Sequence, residues 1–365
     1  MLTVGVEEEY LLLDPATGVP LARAARVAQA AGQQRALGGH EVQRELLQAQ
    51  LEVATPVCHG LDEVGGHLLR MRHALGEAAR QAGCALAAVG AAPLFGVRPV
   101  PVTATHRYLA MREDTRQLTD EQLICGMHVH VGVPDRAGGV RMLNGLRPWL
   151  ALLVALAANS PMWQGRDTGF ASWRTVVFGR WPVSGPPPLF ADADDYERRT
   201  RALIDCGLIR DTGQIYWQLR LSERYPTVEV RVMDVQLRAE EAVMLAGTVR
   251  ALAQQSLAGR PGERPADRLP AELLSAAVWH SARHGCTGTV LDPVRGRLVP
   301  AGEAVDALLD FIGPAIEDTG DARQVAPVLE RLLREGNGAV RQRRVLSCFG
   351  RSGLIRALTD QTTGA

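Results

Sequence analysis

Four short stretches, far apart in the chain, alternate charged or imidazole side chains with apolar ones at a period of two. This pattern restricts the fold more than any other feature, because a β-strand sends successive side chains to opposite faces. In VGVEEEYLLLD, Val4 to Asp14, it sends Glu7 and Glu9 to one side and Val4, Val6, Tyr10 and Leu12 to the other. Two carboxylates one pleat apart repel each other and lose hydration beside apolar neighbours. A fold that keeps both charged has to supply a cation, either a metal ion or Arg. The plain alternative is an edge strand whose acidic face looks at water.

Three further stretches repeat the pattern. In ELLQAQLEVATPVC, Glu45 to Cys58, a strand in the second half puts Gln48, Gln50 and Glu52 on one face and Leu51 and Val53 on the other. Pro56 ends it. Glu45 stands where the chain enters this strand, and a helical reading also aligns Glu45 with Glu52. CGMHVHVGVPD, Cys125 to Asp135, places Gly126, His128, His130 and Gly132 on one face, polar and uncrowded as a ligand approaching the backbone requires. Two core histidines bonded to carbonyls are the alternative there. PTVEVRVMDVQL, Pro226 to Leu237, aligns Thr227, Glu229, Arg231 and Met233. Glu229 and Arg231 side by side also suit a simple internal salt bridge.

Helical periodicity is expected over Leu61 to Gly83, with Gly83 as its stop, and over Leu146 to Ala158. Cys84 to Val89 reads as a short buried strand, and a helix opens at Arg107-Tyr108 and runs towards Gln122. Between Asn159 and Pro188 lies a long segment with Trp163, Trp173, Trp181, Arg166, Arg174 and Arg180. Its aromatics argue against disorder, so it is expected to be a substrate-binding loop, or else a packed surface loop. From about residue 239 the chain is largely helical: Ala239–Leu257, Ala271–Gly285, Gly302–Ile316, Asp321–Arg334 and a short Ala339–Leu346, with GERPADRLP as a loop among them. No linker divides the chain, and one domain over 1–365 is expected.

Composition excludes several chemistries. All 40 basic residues are Arg; no Lys occurs. A Walker-type phosphate loop, a Schiff-base lysine and a Ser–Lys dyad are therefore ruled out. Forty acidic residues balance the arginines, so the total charge gives no footprint for nucleic acid or an anionic membrane. The chain contains no run of about 18 apolar residues and opens directly on its first strand, so neither a membrane span nor a signal peptide is expected. The six cysteines are scattered, with no Cys-x-x-Cys pair, which disfavours a structural zinc site and suits a reducing, cytoplasmic setting.

Placed on one sheet, these strands present Glu7, Glu9, Glu45, Glu52, His128 and Glu229 to a common basin, with Arg231 beside them. Five carboxylates and one imidazole form a hard, oxygen-dominated ligand set that suits Mg²⁺ or Mn²⁺, and more than one ion, better than zinc. Metals held this way have a nucleoside triphosphate as natural partner, and Arg231 is placed to meet a transferring γ-phosphoryl group.

The order Glu-x-Glu, Glu…Gln-x-Glu, Gly-Met-His-x-His and Glu-x-Arg is similar to that of the glutamine synthetase-like superfamily. VGVEEEYLLLD, QLEVATPVC, GMHVHVGV, NSPMWQGRDTGFASWR, TVEVRVMD and GNGAVRQR (Gly336 to Arg343) resemble, more closely, the carboxylate–amine ligase branch of the type 2 glutamate–cysteine ligase family. The resemblance runs nearly end to end. It implies an α+β fold, with a glutamine synthetase-like curved antiparallel sheet holding Mg²⁺–ATP and helices packed on its outer face. It further implies that a carboxylic acid takes the γ-phosphoryl group and that an amine then attacks the acyl phosphate to give an amide. Weak glutamate–cysteine ligase activity is described for family members.

Carried over residue by residue, Glu7, Glu9, Glu45, Glu52, His128 and Glu229 fall on metal ligands, and Arg231 falls on the phosphate-binding arginine. Glu52 and Arg231 are the expected catalytic residues. His130 falls near the nucleotide, and Arg174 is expected to hold the substrate carboxylate. The partners implied are small-molecule acids and amines, and such sheets often pair as homodimers. Ala91-Ala92-Pro93 departs from the family's usual Thr-His-Pro and puts substrate identity in question. Two other readings compete: a non-catalytic relative that binds a nucleotide or metabolite, and a hydrolase using His128 and His130 on zinc or iron.

Overall fold

In a computed structural model of the chain, which describes residues 1–33, 42–259 and 269–364, the four alternating stretches lie in one antiparallel sheet. Its strands are β1 (Val4–Leu13), β2 (Val42–Arg44), β3 (Gln50–Ala54), β4 (Ala85–Ala87) and β5 (Gly126–Gly132). After a small hairpin, β6 (Met162–Trp163) with β7 (Arg166–Asp167), come β8 (Leu219–Leu221) and β9 (Thr227–Asp234). The order is β2-β3-β1-β5-β9-β8. β1 is long enough to pair with β5 through its first half and with β4 through Leu11 to Leu13. A second hairpin, β10 (Thr289–Asp292) with β11 (Arg297–Pro300), stands apart.

The expected α+β architecture is present, because each strand has one apolar face to cover. Val4, Val6, Tyr10, Val129, Val131, Val228 and Val230 are buried. Helices Leu61–Gln81, Ala239–Ala258 and Leu150–Ala157 pack onto that face. Leu61–Gln81 ends as expected, with Gly83 taking φ +73° just past its last turn. One residue on the apolar face was passed over by the sequence reading. Glu8 is fully buried there, where Arg72 of helix Leu61–Gln81 donates to it through Nε at 2.9 Å. Nη1 and Nη2 of the same guanidinium reach the carbonyls of Leu237 and Gln236, tying helix, sheet and the start of the helical half together.

Several expected elements have different bounds. The helix read as Leu146 to Ala158 begins earlier, at Arg136, because Asp135 accepts from Gly138 N at 2.6 Å and caps that turn. Pro148 then tightens Arg147–Trp149 into a 3₁₀ turn before Leu150–Ala157. By length and composition Arg136–Ala157 would cross a bilayer, yet it is mostly buried, against helices Ala239–Ala258 and Ala271–His284. The segment 159–188 is not one long loop: it holds the β6–β7 hairpin and the helix Trp173–Phe178, capped by Ser172. The late helices run over Ala301–Thr319, Ala322–Glu335 and Gly338–Thr363, the last bent at Gly350, which takes φ +66°. It extends well beyond the short Ala339–Leu346 expected. The Gln-rich end of the segment before Glu45 and most of GERPADRLP lie outside the described residues.

Candidate active site

Antiparallel pairing turns the sequence periodicity into a site. Glu9 stands directly opposite Glu52, Glu7 opposite His128, and His130 opposite Glu229, which in turn faces Arg220. All project from the face opposite the valines, into a cavity of about 850 Å³. Glu45 reaches it from the turn after β2, its carboxylate held by the backbone N–H of Leu46 at 3.0 Å. The strand reading of the Glu45–Glu52 stretch is therefore the correct one. Ligand atoms within 4.8 Å of one another form three groups: Glu7, Glu52 and His128; Glu7, His130 and Glu229; and Glu9, Glu45 and Glu52. All six expected metal ligands are included, and His130 joins them. The two imidazoles fall in different groups, joined through Glu7.

The groups divide by charge. Burial would raise Glu7, but hydrogen bonds from His128 (Nδ1, 2.8 Å) and the charge of His130 hold it far below the usual carboxylate range. Glu229 is likewise held far below that range against burial, by Arg231 and Arg220; Arg220 donates to it at 2.8 and 3.2 Å. Burial lowers His128, with Arg231 adding to it, whereas in His130 the contact with Glu7 outweighs burial and raises it. At the other end of the cup, burial and the neighbouring Glu9 push Glu45 up to about 7. Burial and Glu7, Glu45 and Glu9 raise Glu52 well above its ordinary value. Carboxylates that bind protons this readily mark where a cation fits. The donor set, oxygen-rich with shared Glu7 and Glu52, fits more than one hard divalent ion.

Arg231 lies in the cavity wall as expected, paired with Glu229, and its Nε has no partner. Arg174 is not brought to that wall. It is 3% exposed, and its guanidinium donates to the carbonyls of Arg231 (3.0 Å) and Val232 (3.4 Å) and lies over Phe178. It fills the space that a side chain at Gly126 would take, with Nη2 only 2.3 Å from an ideal Cβ there. It braces β5 and β9 at the Gly126 end of the face that carries His128 and His130. The NSP…ASWR motif has a matching structural cause. Asp234, at the end of β9, accepts from Asn159 N (2.8 Å), Ser160 Oγ (2.7 Å) and Ser172 Oγ (2.8 Å), which docks the Trp173–Phe178 helix. Ala91 and Ala92 are fully buried and do not line the cavity, so the departure from Thr-His lies outside its wall.

Some cavity residues escaped the sequence reading. Arg220 ends the strand-like IYWQLR, between the buried Leu219 and Leu221. Gln50 was placed on the correct face but given no role. Tyr108, Met111 and Tyr216 come from outside the sheet, and no period announces them; Phe178 and Trp181 lie in the 159–188 segment expected to bind substrate.

The whole chain also has relatives. Residues 3–361 match the model of glutamate-cysteine ligase family 2. The chain belongs to that family. It is 44% identical over 345 residues to a protein of Saccharopolyspora erythraea and 42% identical over 340 residues to one of Nocardia farcinica, both named "Putative glutamate--cysteine ligase 2-1". These alignments cover 94% and 93% of this chain and 90% and 88% of the relatives. Among solved structures, the glutamate–cysteine ligase of Francisella tularensis in complex with AMP superposes with a TM-score of 0.73 at 11% identity, over 100% of this chain and 88% of that one. A bifunctional glutathione synthetase of Pasteurella multocida gives 0.69 at 15% identity, over 100% of this chain and 52% of that one. These likenesses are of fold. Membership in glutamate-cysteine ligase family 2 makes the chain an enzyme of an ATP-dependent ligase family.

Proposed function

We propose that this family 2 member joins a carboxylic acid to an amine at the expense of ATP, by way of an acyl phosphate, with γ-glutamyl–cysteine formation as a weak activity. One observation carries the reading: three overlapping carboxylate groups share a cup with two arginines, Arg220 and Arg231, that converge on Glu229. Glu7, Glu9, Glu45, Glu52, His128 and Glu229 would hold Mg²⁺ or Mn²⁺. Bound there, the ions neutralise the triphosphate and draw charge from the γ-phosphoryl group.

The acid's carboxylate oxygen attacks the γ-phosphorus, and the bond to the ADP oxygen breaks. Arg231 is half-buried in the cavity wall, and its neighbours Glu229, Glu9 and Glu7 favour its charged form; it stabilises the transferring group. His130, held by Thr227 at 2.9 Å, faces the nucleotide. The amine nitrogen then bonds to the acyl carbon as the carbon–oxygen bond to phosphate breaks, and its proton leaves to solvent or a neighbouring carboxylate. The cup keeps bulk water from competing for the acyl carbon. One catalytic unit over 1–365, working in the cytoplasm as a pair of copies, completes the proposal; all six cysteines are unpaired, as a reducing compartment leaves them.

The test is ADP release from ATP and Mg²⁺ over a panel of acids and amines, with products identified by mass. Release that needs both an acid and an amine, with an amide as product, is expected. Silence across the panel, or release without an amine, would sink the proposal.

A further inference from the structure

The two ends of the cavity differ in chemistry. At the β8–β9 corner two guanidiniums, Arg220 and Arg231, share the single carboxylate of Glu229. That end suits phosphoryl and carboxylate groups. The wall beside Glu45 and Glu52 is roofed by side chains from three segments outside the sheet, and through Ile215-Tyr216 it adjoins the Arg220 corner. Phe178 and Trp181 are 8% and 5% exposed, and Tyr216 meets both edge-on, with ring centroids 6.0 and 5.3 Å away. Tyr108 and Met111 of the helix His106–Thr115 complete an apolar wall. Of the cations around this wall, Arg107 is held by Asp211 through two hydrogen bonds of 2.7 and 3.0 Å, Arg180 pairs with Glu121, and Arg174 lies over Phe178.

Two buried polar atoms in this wall have no partner. Gln50 is 3% exposed, and its Nε2 donates to the carbonyl of Ile124 at 2.7 Å. That bond fixes the amide so that Oε1 is the free atom, an acceptor without a donor. The Tyr216 hydroxyl is the second. A buried acceptor left unpaired is costly, so a ligand that brings an N–H to Gln50 recovers a real deficit. An ammonium or amine beside carboxylates, with its carbon body against Trp and Tyr faces, answers every feature of this end.

Resting on the ligase reading, we propose that the Gln50–Tyr216 end is the amine subsite and that it selects an amine carrying a flat apolar side chain over cysteine. Gln50 Oε1 accepts from the amine N–H, and the Phe178, Trp181 and Tyr216 rings enclose the side chain. The carboxylic acid takes the adjoining arginine-rich corner. A thiol-bearing amine leaves the aromatic wall uncovered and loses the contact that wall provides.

The test uses the wild-type chain with ATP, Mg²⁺ and glutamate, comparing phenethylamine, tyramine and phenylalanine with cysteine as amines. kcat/KM for the aromatic amines is expected to exceed that for cysteine by about tenfold or more. Trp181→Ala is expected to lower kcat/KM for the aromatic amines about tenfold, mainly through KM, and to change cysteine far less. Should Trp181→Ala fail to fold, the wild-type preference between aromatic amines and cysteine still decides. Cysteine equal to or better than every aromatic amine, or a variant that affects both amines alike, would overturn the amine assignment while leaving the ligase intact. No ADP release with any pair would overturn both.

Discussion

Glu229 is the residue at which the two halves of the site meet. It faces His130 across one strand pair and Arg220 across the next, and Arg231, two positions along β9, closes on the same carboxylate. Arg231→Lys keeps a positive charge but gives up the planar fork, and a single ammonium cannot serve Glu229 and a phosphoryl oxygen together. The variant is expected to lose about 10²-fold or more in kcat, while Arg220 still neutralises Glu229 and holds the fold. Steady-state ADP release and circular dichroism check the two halves of this statement. A near-normal kcat would remove Arg231 from the chemistry.

At the scale of elements, β1 does two jobs with one alternation. Glu7 and Glu9 face the cup, while Glu8 sits fully buried on the other side, paired with Arg72 and accepting from the Tyr10 hydroxyl. Arg72→Leu leaves that carboxylate alone among apolar side chains and strips donors from the carbonyls of Gln236 and Leu237. A loss of about 3–5 kcal/mol in urea unfolding is expected. Glu8→Leu combined with Arg72→Leu should recover only part of it, since the two carbonyls stay unmet. The strand faces of Glu7, Glu9, Glu52, His128 and Glu229 were legible because a period of two survives without any tertiary information. Glu8 was overlooked because its partner lies on a helix 64 residues away. Much of the roof was illegible for the same reason: Tyr108 and Tyr216 acquire a role only when separate segments close over the sheet. The placing of Arg174 off the cavity wall was hidden for a related one, since a motif match carries no information on which way a guanidinium turns.

The molecule as a whole sets an apolar, helix-backed face of one sheet against a face crowded with acid, and the metal-free protein bears the cost of that crowding. Glu45, with an ordinary value of 4.5, is pushed up to about 7 by burial and by Glu9. Between those values the folded chain keeps a proton at Glu45 that the unfolded chain releases. Its contribution to stability is therefore full below about pH 4.5 and disappears as pH rises through about 7. Glu52, raised by burial and by Glu7, Glu45 and Glu9, acts in the same direction. Glu45→Gln removes one of these sites without leaving a charge. In the absence of metal, the variant is expected to be more stable than the wild type at pH 8 by about 1–2 kcal/mol, with the gap closing towards pH 5. Divalent ions bind deprotonated carboxylates, so Mg²⁺ or Mn²⁺ should raise the wild type's melting temperature more at pH 8 than at pH 5. The same ions should raise it more in the wild type than in Glu45→Gln. Thermal unfolding of both proteins at the two pH values, with and without metal, gives the comparison. A wild type that matches Glu45→Gln under all of these conditions would mean that Glu45 lies outside the metal cluster.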